Sequence, residues 1–145
     1  MYEDVLAQVP LFSSLDKREL QALASSCRER DYPAGAALMR QGDTGVGLFI
    51  ITNGRVNVTQ DTPDGTTREL GVFGRGDVLG EMSLLDDQAR TATVTASDPT
   101  SALVIPVWDF RAVLREAPEI SIKLLSVLSQ RLRAAEAQKN PAAHG

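Results

Sequence analysis

The sequence predicts a mainly β fold with helices at both ends, and three observations carry that reading. Ten of the eleven glycines fall between Gly35 and Gly80, and the segments between them are short, which is the punctuation of strands joined by tight turns. The chain before and after this stretch instead spaces its apolar residues with helical periodicity. Residues 90–96 alternate, with Ala92, Val94 and Ala96 on one face and Thr91, Thr93 and Thr95 on the other, as a half-buried strand does.

Residues 1–15 read as a short helical lead that Pro10 interrupts. Asp16 followed by Glu19 forms a capping box, opening a helix expected to reach about Cys27, with Leu20, Leu23, Ala24 and Cys27 on its apolar face. Candidate strands are 37–40, 48–52, 55–60, 67–73, 90–96 and 102–107, and Pro63-Asp64-Gly65 marks a hairpin tip. The alternation of 90–96 places Arg90 on the Ala92 face, toward the interior of a barrel, where a charged group needs a partner such as an anionic ligand. Residues 108–114 then read as a helix ended by Pro118. A longer helix follows over 119–138, with an apolar stripe of Ile120, Leu124, Leu128, Leu132 and Ala135 that Leu125 broadens. Phe49, Trp108 and Phe110 are expected in the core. Residues 1–140 form one domain, and 141–145 a frayed, disordered tail.

Composition excludes several functions. No apolar run approaches the ~18 residues of a membrane span, and the start Met1-Tyr2-Glu3-Asp4 lacks the basic region of a secretory signal. Cys27 is the only cysteine, so no internal disulfide forms, and a reducing cytoplasm is the expected location. Packed among Leu20, Leu23 and Ala24, its thiol is expected to be buried and inert. With a net charge of −4 and no basic run, direct binding to nucleic acid is not expected. His144 is the only histidine, so neither a histidine-rich metal site of the cupin kind nor a nucleophilic triad can be assembled, and no enzyme is expected.

The chemistry concentrates in residues 79–93. Gly80 lets backbone approach a ligand where a Cβ would collide. Met82 to Leu85 reads as one helical turn whose leading N–H groups can point at an anion. Arg90 supplies a planar fork for phosphate oxygens. Ser83 and Thr91 offer hydroxyl donors to the phosphate or base. Glu81 would repel a phosphate, but it fits as an acceptor for a sugar hydroxyl, although an acidic residue opening a helix is favoured by the dipole alone. A site that takes both an anion and a hydroxyl donor points to a nucleotide.

Gly80-Glu81-x-x-Leu84-Leu85-x-x-x-x-Arg90-x-Ala92 resembles the phosphate-binding cassette of the cyclic-nucleotide-binding domain family, which includes the bacterial catabolite activator, the regulatory subunits of cyclic-AMP-dependent protein kinase and cyclic-nucleotide-gated channels. Pro33-Ala34-Gly35, Gln41-Gly42-Asp43, Phe49-Ile50-Ile51, Gly54-Arg55-Val56 and Phe73-Gly74-x-Gly76-Asp77 follow in the family's order. The resemblance implies an eight-stranded, jelly-roll-like β barrel with N-terminal helices and two C-terminal helices, the last acting as a lid. It implies a cyclic-nucleotide sensor that signals through movement of that last helix, with cyclic AMP the first expectation and cyclic GMP the second, and with no cofactor or metal. By the same resemblance the phosphate falls to Arg90, Thr91, Gly80, Met82 and Ser83, the ribose to Glu81 and Gly80, and the base to Arg131, Leu128 and Thr91. The activator subset's polar base contacts would fall at Ala135 and Glu136, and alanine cannot make that contact. The expected partner is an effector protein or a separate effector domain, since no helix-turn-helix follows the last helix within these residues. The stripe of that helix can equally serve as a homodimer seam. The alternative is a structural or partner-binding barrel that has lost its nucleotide, against which intact Gly80, Glu81 and Arg90 argue.

Overall fold

Eight strands form two four-stranded antiparallel sheets, ordered β1-β8-β3-β6 and β2-β7-β4-β5, in a jelly-roll arrangement. They are β1 (Arg28–Tyr32), β2 (Ala37–Met39), β3 (Gly47–Asn53), β4 (Arg55–Asp61), β5 (Thr67–Gly74), β6 (Val78–Leu79), β7 (Thr93–Ala96) and β8 (Thr100–Pro106). The computed structural model describes residues 2–44, 47–81, 84–86 and 89–139. These divide into a β unit, Ser26–Phe110, and a helical unit made from the two ends of the chain, Met1–Ser25 and Arg111–Gly145. Met82 and Ser83, the first half of the helical turn predicted over Met82 to Leu85, and the predicted tail at 141–145 lie outside the described residues.

The β unit closes around Leu38, Met39, Phe49, Ile51, Val56, Val58, Val94, Ala96, Ala102 and Val104, with Tyr32, Phe73, Leu79 and Ala92 packed against them. Central strands β3 and β8 are nearly continuous apolar runs, Gly47 pairing with Pro106 and Ile51 with Ala102. Two strands escaped the sequence reading. β1 is a charged segment, Arg-Glu-Arg-Asp-Tyr, that forms only because β8 supplies a partner from Arg28↔Val104 to Tyr32↔Thr100. Its charges suit an edge, where they discourage pairing with another chain. β6, two residues long, is held by Phe49 and Ile50 of β3.

The expected strand over 90–96 requires correction. β7 begins only at Thr93, and residue 90 makes its backbone bonds elsewhere: Arg90 N–H donates to the Asp43 carbonyl at 2.8 Å, and Gly42 N–H donates to the Arg90 carbonyl at 2.9 Å. Alternation within β7 holds, since Val94 and Ala96 point into the core.

In the helical unit, α1 spans Glu3–Leu6 and a 3-10 turn Pro10–Phe12. α2 (Lys17–Ala24) starts with the expected capping box: Asp16 N–H donates to Glu19 Oε1, and Glu19 N–H donates to Asp16 Oδ1, both at 2.9 Å. α2 stops at Ala24, short of the expected Cys27, which instead precedes β1. Burial pushes the half-buried Cys27 thiol up to about 12, which keeps it protonated and inert near neutrality.

α3 runs over Val107–Glu116 and α4 over Pro118–Lys139. Pro118 opens α4 at its first position, where its missing N–H costs nothing. Trp108 is a further correction: it is 69% exposed, while Phe49 and Phe110 are buried as expected. The apolar stripe of α4 divides between buried and exposed positions. Ile120, Leu124 and Val127 are buried, Leu128 is half-buried, and Leu132 and Ala135 are exposed. Steps of four residues drift about 40° each around a helix of 3.6 residues per turn, so an unbroken i+4 series leaves the buried face. Among the described residues, no helix is long and apolar enough to cross a membrane.

Candidate functional site

A cavity of about 420 Å³ opens within the β unit, lined by Met39, Val58, Leu79, Gly80, Glu81, Asp86, Ala89, Arg90, Thr91, Ala92 and Val94. Strands β2, β4 and β7 supply its apolar wall through Met39, Val58 and Val94. The segment after β6 brings Gly80 and Glu81, and the approach to β7 brings Arg90 and Thr91.

Arg90 is the chemical centre of this cavity. Only 7% exposed, it is, with Glu19 and Thr100, one of three buried polar or charged residues among the described residues. Its Nη2 donates to the Gly47 carbonyl at 2.6 Å. Burial pulls the guanidinium below its ordinary pKa, yet arginine starts so high that it stays charged across the physiological range. A desolvated cation in a cavity wall is a strong attractor for an anion, because little water remains to screen it.

Gly80 has a role the sequence reading placed elsewhere. Its φ is +79°, a conformation that favours glycine. A Cβ there would lie 2.5 Å from Arg90 Nη1 and 2.8 Å from the Gly47 carbonyl oxygen. The missing side chain therefore makes room for the guanidinium as well as for any ligand. Gly47, which sequence reading did not single out, completes the arrangement. A Cβ on Gly47 would collide with the Ile105 carbonyl, so its close pairing with β8 excludes a side chain and aims its own carbonyl at Arg90. Leu84, which lies between Gly80 and Arg90 in the sequence, is buried. Its N–H reaches the Glu81 carbonyl at 3.4 Å.

Of the residues expected at the site, the structure brings Gly80, Glu81, Arg90 and Thr91 to one cavity. Met82 and Ser83 lie outside the described residues. Leu128 and Arg131 are half-buried residues of α4 in the helical unit. Asp86 joins the lining unannounced by any spacing signal, whereas Val94 was legible as an inward position of an alternating strand. Among the described residues no cluster of histidine, cysteine, aspartate or glutamate is arranged to hold a metal ion. The helical unit has a larger hollow, about 660 Å³, bordered by Asp16, Glu19 and Lys123. Its buried carboxylate, Glu19, already accepts from Lys123 Nζ at 2.6 Å and from the Asp16 N–H.

Comparison with known proteins gives a consistent result. A family model described as a cyclic nucleotide-binding domain matches residues 29–117. The chain is 35% identical over 127 residues to the cyclic AMP receptor protein of Thermus thermophilus, a match covering 88% of this chain and 59% of that protein. It is 37% identical over 117 residues to a cyclic nucleotide-gated potassium channel of Rhizobium etli, covering 81% of this chain and 31% of the channel. The chain thus spans less than two thirds of the length of these relatives. Among solved structures, the N-terminal domain of a transcriptional regulator from Streptomyces coelicolor superposes with a TM-score of 0.85 at 34% identity, covering 98% of this chain and 99% of that domain.

Proposed function

The chain belongs to the cyclic nucleotide-binding domain family, and on that premise we propose that it is a sensor module, without catalysis of its own, that takes a cyclic nucleotide into the barrel cavity. The observation that carries this reading is the buried Arg90 guanidinium, held by a backbone carbonyl in the wall of a cavity that also contains Gly80 and Glu81. At about 420 Å³ the cavity falls within the roughly 300–1,000 Å³ usual for small-molecule sites. Arg90 takes the cyclic phosphate, assisted by Thr91 and the backbone amides from Gly80 through Met82 and Ser83, and Glu81 accepts from the ribose hydroxyl. Leu128 and Arg131 of α4 are assigned to the base. A ligand that favours one arrangement of α4 shifts the population toward it, and an effector protein or domain reads the change. Cyclic AMP is the first candidate, because the Thermus relative is named a cyclic AMP receptor. Cyclic GMP remains the second, with Thr91 the residue that meets either purine. A second copy of the chain is the proposed partner along the exposed side of α4.

Calorimetric titration with cyclic AMP and cyclic GMP side by side tests the proposal. The unaltered chain should bind at least one of them. Arg90→Ala should lose at least tenfold in affinity, within a cost on the order of 2–5 kcal/mol for truncating one side of a buried charge pair. Equal affinity of the variant removes the role of Arg90. No binding of either nucleotide favours a barrel that has lost its ligand.

A further inference from the structure

Arg90 lies in the cavity wall at the point where its chain leaves the sheet. The β4–β7 ladder ends at Thr59↔Thr93. The next residues of β4, Gln60 and Asp61, face a chain that has turned away, and backbone groups left at such a departure need other partners. Two glutamine side chains supply them. Gln41 binds both backbone groups of Asp61: its Nε2 donates to the Asp61 carbonyl at 3.0 Å, and its Oε1 accepts from the Asp61 N–H at 2.7 Å. Gln60 Nε2 donates to the Thr91 carbonyl at 3.0 Å, and Arg68 Nη2 donates to Gln60 Oε1 at 3.2 Å. Gln41 is further fixed by its own N–H, which donates to Thr93 Oγ1 at 2.9 Å. The two residues that follow it, Gly42 and Asp43, hold the Arg90 backbone from both directions.

We propose that Gln41 is a positioning residue for the anion-binding arginine: by tying the β2–β3 loop to the ends of β4 and β7, it sets the grip of Gly42 and Asp43 on Arg90, with Gln60 holding the adjacent Thr91 carbonyl. The side-chain amide of Gln41 takes the place of a strand partner for Asp61 where the pairing of β4 with β7 has ended. A group held to tolerances of a few tenths of an ångström depends on such support. This inference rests on the reading that Arg90 meets the ligand's phosphate, but its first readout does not need a ligand.

The experiment compares the unaltered chain with Gln41→Ala and Gln60→Ala by amide hydrogen exchange and by calorimetric titration with cyclic AMP. In Gln41→Ala, exchange at the Gly42 and Arg90 amides should rise at least tenfold while amides within β3 and β8 keep their rates, and cyclic AMP should bind about tenfold more weakly, as expected when a supporting contact is removed. Gln60→Ala should weaken binding with no change in exchange at Gly42. Unchanged exchange at Arg90, or an equal rise throughout the sheets, overturns the positioning role. So does faster exchange at Arg90 with undiminished affinity. If the unaltered chain binds no cyclic nucleotide, the proposed function falls, and exchange at Arg90 alone then decides whether Gln41 holds it.

Discussion

Arg90, Gly80 and Gly47 form a unit in which each residue restricts the other two. The guanidinium lies against the bare Cα of Gly80 and donates to the carbonyl that Gly47 turns inward. Gly80→Ala would force a side chain into a φ of +79°, costing roughly 1–2 kcal/mol, and would press its methyl group on Arg90 Nη1. Denaturant titration should show that loss of stability, and calorimetry should show weaker cyclic AMP binding because the guanidinium is displaced. A variant with full affinity would mean that Arg90 does not need the space Gly80 leaves. Gly80 and Arg90 were readable in the chain, since a glycine and an arginine at that separation announced an anion site. The Gly47 carbonyl was not readable, because a backbone acceptor leaves no trace in residue identity.

At the level of single elements, side chains acting on backbone decide where strands and helices end. At the β4–β5 hairpin tip, Thr62 and Thr66 hydroxyls donate to the Asp64 carboxylate, as does the Thr66 N–H at 3.1 Å. These bonds hold the Asp64 pKa at about 2, below its ordinary 3.8. A depressed carboxylate stabilises the fold above the unfolded value and ceases to do so as pH falls through the folded one. The turn should therefore keep its geometry as pH drops past 3.8 and loosen near 2, and an NMR titration of the Asp64 carboxyl should show a midpoint in that lower range.

The capping box of α2 has a second task, because Glu19 also binds Lys123 of α4, with Asp16 3.8 Å from the same ammonium. The hydrogen bond from Lys123 to Glu19, foremost, raises the lysine pKa above its ordinary 10.5. That contribution to stability is complete below 10.5 and fades as pH rises through the folded value. The backbone N–H of Glu19 lowers Asp16, so its contribution persists above 3.8 and fades on acidification. Glu19→Ala should cost about 1–3 kcal/mol in urea denaturation near neutrality, since it removes a buried acceptor from two donors. Lys123→Met should flatten the loss of stability at alkaline pH. The capping box was legible as a spacing of three; the lysine 104 positions away was not.

For the molecule as a whole, α4 carries two apolar stripes with different fates. Ile120, Leu124 and Val127 are buried, while Ile122, Leu125 and Leu132 stay exposed at the three- and four-residue steps of a helix seam, with Ser129 between them. Water-facing leucines in this register fit a second copy of the same helix. Sedimentation equilibrium should show a dimer that Leu125→Glu converts to monomer, with the circular dichroism of the fold unchanged. A monomeric unaltered chain would sink the seam. The sequence reading named a seam on this helix along Ile120, Leu124, Leu128, Leu132 and Ala135 with Leu125, a series that mixes the buried stripe with the exposed one.

Taken alone, the amino-acid sequence determined the class of fold, most strand positions, the α2 cap and the four cavity residues Gly80, Glu81, Arg90 and Thr91, because each rests on local spacing or on what a residue type can do. Tertiary structure decided the rest: the charged strand β1, the late start of β7, the exposure of Trp108, and the carbonyl and glutamine contacts that hold Arg90. Those depend on which segments meet across the chain. A charged segment becomes a strand when β8 offers its edge, and an arginine leaves a strand when a distant loop binds its backbone more completely than the sheet would.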